Sequence, residues 1–382
     1  MELKISIPKV RIPVLAIAIS YFFVIINPWG WNMILHLLPF YMVFIAFSMF
    51  SNNIHIKLDR YCFLLFIFAA YTVISCLFFA NLDGTPGKVL RHVYEFVIAL
   101  FFISYNFTKR EISFLIKMYS ISALFVGVKM LLQGSVMYDM EGITRHLIEN
   151  FGKKMDPNYL SACLLFAGVY FFYKCVKTTF KIRYVILFCI PAISILATGS
   201  RGGLLSLAVG CGIIFIGEYN FTKKALLGIV LITICIFLYQ ILPDSYAFRY
   251  SLQSINDSSN HYRVNLWKTA FAIFLSNPIF GRGGNSMLNY AISYGAFREL
   301  LCHNTYLAIM ADYGIIGAIT FFSMLVGSML QAVRKKNNFV LGILFATGVC
   351  GIFICGEDSA FYWQNLLLSY VLLKDEYKHV ME

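Results

Sequence analysis

GRGGNSMLNYAISYGAFRELLCHNTYLAIMADYG, at residues 281–314, is a glycine-rich polar segment in a chain that otherwise consists largely of apolar runs. It contains Arg282, Arg298 and the pair His303-Asn304. The chain of 382 residues is 59% hydrophobic and only 13% charged, whereas about a quarter of the residues of a soluble domain are charged. The composition predicts a polytopic membrane protein. The contrast marks the polar segment as the part that carries its chemistry.

The apolar runs have about the length that crosses the hydrocarbon layer of a bilayer. They lie at residues 13–29, 32–50, 61–80, 89–106, 112–131, 158–174, 184–198, 202–218, 224–241, 315–333, 338–355 and 361–373. We therefore predict an all-α fold, with a single transmembrane domain over residues 1–382 and about twelve helices. Residues 242–302 are predicted to form a large external loop between spans nine and ten, with short amphipathic helices inserted in it.

The distribution of Lys and Arg predicts how these helices are oriented. If the N-terminus is cytoplasmic, the basic clusters at 174–183, 223–224 and 334–336 fall in short cytoplasmic segments, as the positive-inside rule requires. Both termini are therefore predicted to be cytoplasmic, and the first run is an uncleaved helix instead of a signal peptide. The net charge of +12 follows in part from this topology and does not indicate a nucleic-acid partner.

The cysteine, histidine and acidic residues do not show the spacing that is typical of a disulfide-bonded or metal-binding protein. Of the ten cysteines, Cys302 alone falls clearly outside the predicted spans, so no disulfide framework is indicated. The seven histidines and nineteen acidic residues never cluster with the spacing of metal ligands. We expect neither a metal nor another cofactor.

The turn TGSRGG at 198–203 joins two predicted spans at their external ends. Free backbone N–H groups at a helix start, glycines that allow close approach and the cationic Arg201 are together typical of an anion site. The alternative is an arginine that only extends to the membrane interface.

Two other polar positions lie at helix starts on the same side. Lys88 and Arg91 stand near the start of the fourth span, where they either bind an anion or extend to the interface. Glu95 follows Arg91 at the spacing of a local ion pair. In Asp156-Pro157-Asn158, Asp156 can cap a helix whose first turn contains Pro157, and capping alone would explain the motif.

The external loop contains a predicted helix at 261–276, HYRVNLWKTAFAIFLS, with Arg263 in its first turn. Val264, Trp267, Phe271 and Phe274 recur at helical spacing, and Asn277-Pro278 would end the helix. A second helix is predicted to start near His303, with His303, Leu307 and Met310 on one face, and to end at Gly314. A helix start disfavours a protonated imidazole, so His303 is expected to be neutral.

Four stretches in order resemble the O-antigen ligase and polymerase superfamily of bacterial membrane proteins (WaaL-type ligases and Wzy-type polymerases). They are SRGG at 200–203, YRVNLWKTA at 262–270, NPIFGRGG at 277–284 and HNTYLAIMADYGIIG at 303–317, and DPNYLSA at 156–162 fits the same pattern. The resemblance covers roughly the C-terminal 60% of the chain.

The resemblance implies a metal-independent inverting glycosyltransferase of the C-type membrane fold. It would act on a glycan carried by undecaprenyl diphosphate at the outer face of the bacterial cytoplasmic membrane. Matching the family's motifs assigns Arg201 and Arg263 to the diphosphate and His303 to catalysis. The residues expected to bind substrate are Lys88, Arg91, Asn158, Ser200, Gly202, Arg282 and Asn304. Whether Lys88 or Arg91 is the basic residue that the family has near its fourth span stays open.

Three functions are compatible with these sequence features. The first is an O-antigen or surface-polysaccharide polymerase, whose acceptor is the next lipid-linked repeat unit and whose partners could include a chain-length regulator. The second is an O-antigen ligase, whose acceptor is lipid A-core or another glycan. A lipid-linked sugar transporter is disfavoured, because such proteins usually place carboxylates within their spans and Glu95 is nearly the only candidate.

Overall fold

The computed structural model describes residues 10–26, 30–50, 54–56, 58–79, 85–133, 136–138, 144–150, 153–218, 258–377 and 380. Within these residues the fold is helical. The helices are α1 (Ile12–Ile26), α2 (Gly30–Phe50), α3 (Arg60–Phe79), α4 (Thr85–Ser104), α5 (Lys109–Gln133), α6 (Pro157–Lys177), α7 (Ile182–Ala197), α8 (Arg201–Glu218), α9 (Ser258–Ser276), α10 (Ser286–Tyr290), α11 (Thr305–Arg334), α12 (Asn338–Cys350) and α13 (Ala360–Leu372). Short 3₁₀ turns lie at Ile292–Tyr294, Gly356–Asp358 and Asp375–Tyr377.

Each predicted apolar run except 224–241 coincides with one of these helices, and that run lies outside the described residues. Four described helices, α5, α6, α8 and α11, are long and apolar enough to cross a membrane. The protein is therefore a helical membrane protein, as its composition predicts. The number of spans and the arrangement of the loop at 242–302, whose first part is outside the described residues, stay predictions.

The loop between α5 and α6 departs from the expected all-α pattern. It contains two short antiparallel ladders, β1 (Val136–Tyr138) with β2 (Thr144–His146), and β3 (Glu149–Asn150) with β4 (Lys153–Lys154). Segments of two or three residues are too short for a helical turn, whereas a ladder of this length can still satisfy their backbone groups.

Helix α6 lies at the centre of the bundle and is buried on nearly all sides. Helices α8 and α12 approach each other most closely at Gly210 and Gly342. A Cβ built on Gly210 would lie 2.9 Å from the Gly342 carbonyl oxygen, and one on Gly342 would lie 2.8 Å from that of Gly210. Small residues at a crossing allow two backbones to pack directly in a membrane protein. This contact fixes α8, whose first residue is Arg201.

Helix α11 breaks at Gly314, where φ is 61° and ψ is −159°. The break frees the carbonyl groups of Ala311 and Asp312, which accept hydrogen bonds from the N–H groups of Arg282 (2.9 Å) and Gly283 (2.8 Å). The N–H of Ile315 in turn donates to the Pro278 carbonyl at 2.8 Å. The Gly-rich stretch after α9, residues 277–284, is thus hydrogen-bonded into the break of α11, and we call this segment the strap.

Helix α9 confirms the predicted helix and its end before Asn277-Pro278. Two of the four apolar positions that predicted it lie on its outer side, because Val264 is 45% and Phe271 46% exposed. A second apolar stripe, Leu266, Ala270 and Ile273, is fully buried against the protein. The helix is apolar on two sides, which suits a helix between a protein core and a membrane.

Candidate functional site

The starts of helices α6, α8, α9 and α11 meet at one end of the bundle. The Ser200 hydroxyl before α8 donates to the Asn158 side chain of α6 at 3.0 Å. The Arg201 Nη2 donates to Asn260 Oδ1 of α9 at 3.0 Å. His303, just before α11, is close enough to Asp156 and Arg263 for both to act on it electrostatically. Helix starts carry partial positive charge, so this end of the bundle favours an anion.

The start of α6 is fixed as the motif Asp156-Pro157-Asn158 predicts. Asp156 is the N-cap, and its Oδ1 accepts from the N–H groups of Asn158 (2.8 Å) and Tyr159 (3.3 Å), with Pro157 in the first turn. The Asn158 side chain is buried and accepts from Ser200. The cap therefore also orients a side chain toward the start of α8.

Arg201 is the first residue of α8 and is half-buried. The two glycines after it have packing roles. A Cβ on Gly202 would lie 2.5 Å from the Phe353 ring, and one on Gly203 would overlap the Ser161 side chain. The sequence pattern suggested that these glycines open space for a ligand. In the structure they pack the start of α8 against α6 and the turn after α12, and their role in ligand approach stays a prediction.

Arg145, in strand β2, is a basic residue that the sequence analysis did not assign to the site. Its side chain is only 6% exposed and lies across the turn before α8. The Nε donates to the Thr198 carbonyl at 2.9 Å, and Nη2 is 3.4 Å from Asn158 Oδ1. Gly199 has φ 63°, and a Cβ built on it would lie 3.3 Å from Cγ of Arg145, so the glycine leaves room for this side chain. No local pattern links Arg145 to a turn 53 residues later, so sequence alone could not have found this contact.

His303 lies two residues before α11 instead of within its first turn, so it does not share a helix face with Leu307 and Met310. Asn304 is the N-cap, and its side chain accepts from the N–H groups of Tyr306 (3.0 Å) and Leu307 (3.1 Å). His303 itself has φ 50°, in the left-handed region that non-glycine residues seldom adopt. Such a conformation persists where the surrounding structure fixes it, and it recurs at functional sites.

The fixing contacts come from Thr305. Its N–H donates to the Gly351 carbonyl at 2.7 Å, and its hydroxyl donates to the Ile354 carbonyl at 2.9 Å and accepts from the Gly356 N–H at 2.7 Å. Three hydrogen bonds thus hold the first residue of α11 against the turn after α12. These hydrogen bonds hold in place the backbone that carries the imidazole of His303.

The surroundings of His303 lower its pKa below the ordinary value of 6.5. Burial is the largest cause, the positive charge of Arg263 acts in the same direction, and the negative charge of Asp156 acts against both. The direction agrees with the expectation of a neutral His303, although burial and not the helix end is the main reason. Its Nδ1 is buried and has no hydrogen-bond partner among the described residues.

Lys88 and Arg91, near the start of α4, lie in a buried ion-pair network. The Lys88 ammonium is 2.6 Å from Asp312 of α11 and 3.7 Å from both Glu357 and Asp358. Arg91 pairs with the Asp358 carboxylate at 2.7 Å. The Arg91–Glu95 pair that the spacing predicts is not formed between these two described residues. The substrate-binding role expected of Lys88 or Arg91 stays a prediction.

The charges of this network balance only if one carboxyl group is neutral. Burial raises the pKa of Glu357, which is 0% exposed. Burial also acts to raise the pKa of Asp358, but the charges of Lys88 and Arg91 outweigh it and lower that pKa. Burial thus disfavours the charged form of Glu357, whereas the two cations favour the charged form of Asp358. The network ties α4 to the break in α11 and to the turn before α13.

Arg282 is bonded within its own loop. Its Nε donates to the Ser276 hydroxyl at 3.0 Å, and its Nη2 donates to the Tyr294 hydroxyl at 3.1 Å. Among the predicted site residues, the structure therefore brings together one set at the meeting point of the helix starts and places another in bracing positions. The first set is Asn158, Ser200, Arg201, Gly202, Arg263, His303 and Asn304, and the second is Lys88, Arg91 and Arg282.

Comparison with known proteins agrees with the resemblance that the motifs show. Residues 185–322 match the family model Wzy_C, described as O-antigen ligase. The match supports the O-antigen ligase and polymerase superfamily, and it contains Arg201, Arg263 and His303. No curated protein matches the chain. A solved chain from the study "Structural coordination of polymerization and crosslinking by a peptidoglycan synthase complex" is similar with a TM-score of 0.46 and 13% identity, over 82% of this chain and 97% of that chain.

Proposed function

Starting from an O-antigen ligase domain at residues 185–322, we propose that the protein is an inverting glycosyltransferase of the bacterial cytoplasmic membrane. It transfers a glycan from undecaprenyl diphosphate to an acceptor hydroxyl at the outer face, and it does so without a metal ion. The observation that carries this proposal is the meeting of four helix starts with Arg201, Arg263 and His303.

The reaction needs stabilisation of a leaving diphosphate. The partial positive charge of several helix starts and two guanidinium groups supply it, because charge-assisted hydrogen bonds gain strength in a site with little water. Arg145 acts as a positioning residue, since it binds the carbonyl of Thr198 and so holds the turn from which Arg201 projects.

The acceptor hydroxyl needs a group that takes its proton, and a neutral imidazole is suited to this. As the acceptor oxygen forms its bond to the anomeric carbon of the donor, the bond from that carbon to the diphosphate oxygen breaks. The acceptor proton passes to His303, and undecaprenyl diphosphate leaves with the bonding electron pair. A hydroxyl that donates to the buried, unpartnered Nδ1 of His303 would also remove the cost of leaving that atom unbonded.

Polymerase is our first assignment, with the next lipid-linked repeat unit as acceptor and a chain-length regulator as a partner. The alternative is ligase, with lipid A-core or another glycan as acceptor, and the family match is compatible with both. Both use the same donor and the same site chemistry and differ in the acceptor alone.

One assay separates the two. Purified protein in liposomes is given a defined undecaprenyl-diphosphate repeat unit, with and without lipid A-core, and the products are separated by size. A ladder from the repeat unit alone supports polymerase, and a capped core without a ladder supports ligase. If neither product forms while the lipid-linked glycan crosses the bilayer, a transporter replaces the glycosyltransferase.

A further inference from the structure

A groove of about 460 Å³ lies at the end of α11 far from His303. Its walls come from the first turns of α3, the last turns of α11 and Tyr370 of α13. Helix α11 continues for twenty residues after its break at Gly314, a length of about 30 Å, so the groove lies at the opposite end of this helix from the candidate site. It belongs to neither the diphosphate site nor the His303 segment.

Two arginines stand at the rim of this groove, Arg60 at the start of α3 and Arg334 at the end of α11. Both side chains are exposed, and neither forms an ion pair within the part of the chain that the structure describes. Lys335 also lines the groove, but its ammonium donates to the Leu373 carbonyl and to Asp375 at 2.6 Å. Arg60 and Arg334 are thus two cationic groups that share one cavity without a carboxylate partner.

The carboxylate nearest in sequence to the groove is Asp59, and its side chain already forms hydrogen bonds. Its Oδ1 accepts from the Cys62 N–H at 3.0 Å, and its side chain is also hydrogen-bonded to Tyr370. Arg60, Arg334 and Lys335 carry three positive charges, and Asp59 and Asp375 carry two negative charges. The net charge around the groove is therefore positive. The electrostatics at this surface therefore favour an anionic occupant.

The lining of the groove combines apolar and polar side chains. Leu64, Met324 and Leu330 are apolar, while Ser323 and Gln331 offer a hydroxyl and an amide. At Gly327 a Cβ would meet nothing within 4 Å, so the missing side chain leaves the cavity open. This combination suits a ligand that has both a charged head and hydrocarbon.

We propose that the groove binds an anionic glycerophospholipid of the leaflet opposite to His303, with its phosphate between Arg60 and Arg334 and its acyl chains against Leu64, Met324 and Leu330. Guanidinium groups bind phosphate oxygens in a fork, and basic pockets between membrane helices on the cytoplasmic side recognise acidic lipid headgroups. The proposal depends on α11 crossing the bilayer and not on the reaction at the other end.

The test measures lipid binding to the full-length protein in a non-ionic detergent by native mass spectrometry. Dioleoylphosphatidylglycerol is the probe, and dioleoylphosphatidylcholine and inorganic phosphate are the comparison ligands. We expect the wild type to retain phosphatidylglycerol over phosphatidylcholine. The double variant Arg60→Gln/Arg334→Gln should bind it at least about tenfold more weakly. Gly327→Leu, which fills the groove without changing charge, should also weaken binding.

Arg110→Gln is the matched control, because Arg110 is an exposed arginine in the first turn of α5 at the same membrane surface and does not line the groove. It should bind the lipid as the wild type does. Equal lipid binding by the double variant and the wild type would overturn the proposal. So would an equal loss in Arg110→Gln, which would indicate general surface charge, or full displacement of the lipid by an equal concentration of inorganic phosphate, which would indicate a free-anion site.

Discussion

Arg201 shows most clearly how a single residue can be tested in this protein. Its guanidinium projects from a helix start and bonds to Asn260 of a second helix start. A fork that binds phosphate depends on geometry as well as charge, and lysine provides only a point charge on a flexible stem. An arginine that merely extends to the membrane interface could be replaced by lysine without loss.

We therefore expect Arg201→Lys to lower turnover by about 30- to 1,000-fold, which corresponds to roughly 2–4 kcal/mol of transition-state stabilisation. The measurement compares turnover in membranes at matched expression. Arg298→Lys is the control, because Arg298 is an exposed arginine of the same external segment. Near-normal turnover in Arg201→Lys would reject the fork and favour the interfacial role.

Asp156 offers a test of the electrostatics around His303. Replacing it by Asn keeps an N-cap side chain of equal quality but removes the negative charge. That charge raises the pKa of His303 against burial and Arg263, so its loss should lower the pKa further. The imidazole then stays neutral to lower pH.

The pH dependence of kcat/KM should accordingly keep its value as pH falls through 6.5, the ordinary histidine value, and decline only at lower pH. In Asp156→Asn the acid limb should move to still lower pH, with little change in thermal stability. An acid limb at or above pH 6.5, or a shift upward in Asp156→Asn, would contradict the assignment of His303 as the base.

Among the helices, the break in α11 depends on one glycine. Gly314 has positive φ, and a Cβ there would overlap the backbone of Ile279. We expect Gly314→Ala to destabilise the protein by about 2–4 kcal/mol, from backbone strain together with displacement of the strap. Thermal unfolding in detergent measures this effect.

Gly327→Ala is the control for this prediction, because Gly327 lies in the same helix and a Cβ there meets nothing within 4 Å. It should be neutral or slightly stabilising, since alanine favours a helix interior. Equal midpoints for Gly314→Ala and the wild type would show that the strap does not depend on the glycine.

The buried network around Lys88 ties α4 to α11. Removing one member of a buried ion pair leaves the other charge without compensation, at a cost of about 3–5 kcal/mol. We expect Lys88→Met to lose this much stability, whereas Lys177→Met should change it by less than about 1 kcal/mol, because Lys177 pairs with Glu218 near the surface. A thermal midpoint of Lys88→Met within the error of Lys177→Met would refute this account of the network.

The helices illustrate what sequence could and could not predict. Apolar runs, the Asp156 cap and the Asn277-Pro278 stop predict where helices begin and end, because these signals are local. The packing of Gly202 and Gly203 could not be predicted in this way, because their neighbours Phe353 and Ser161 are distant in sequence. The pairing of Arg91 with Asp358 instead of Glu95 likewise depends on residues far apart in the chain.

At the scale of the whole molecule, α11 runs from the His303 segment at one end to Arg334 at the other. The positive-inside rule assigns the Arg334 end to the cytoplasm. In this proposed orientation the candidate site would face outward, where lipid-linked glycans would be its substrates.

Topology is checked by thiol labelling in intact cells. In a variant whose exposed Cys189 is replaced by Ser, a cysteine introduced at Phe297 should react with an impermeant reagent, because this position is exposed in the external segment. A cysteine at Lys177 should react only after the membrane is opened. Labelling at Lys177 from outside would reverse the orientation.

The central claim is that His303 and the arginines at the helix starts transfer glycan from undecaprenyl diphosphate. The most direct measurement is the release of undecaprenyl diphosphate by purified protein from a defined lipid-linked repeat, in the presence of a chelator. We predict one lipid diphosphate released for each new glycosidic bond by the wild type and no detectable release by His303→Ala. The control variant His55→Gln, which changes an exposed histidine before α3, should behave as the wild type does. Loss of wild-type activity on chelation, or release by His303→Ala at the wild-type rate, would contradict the account.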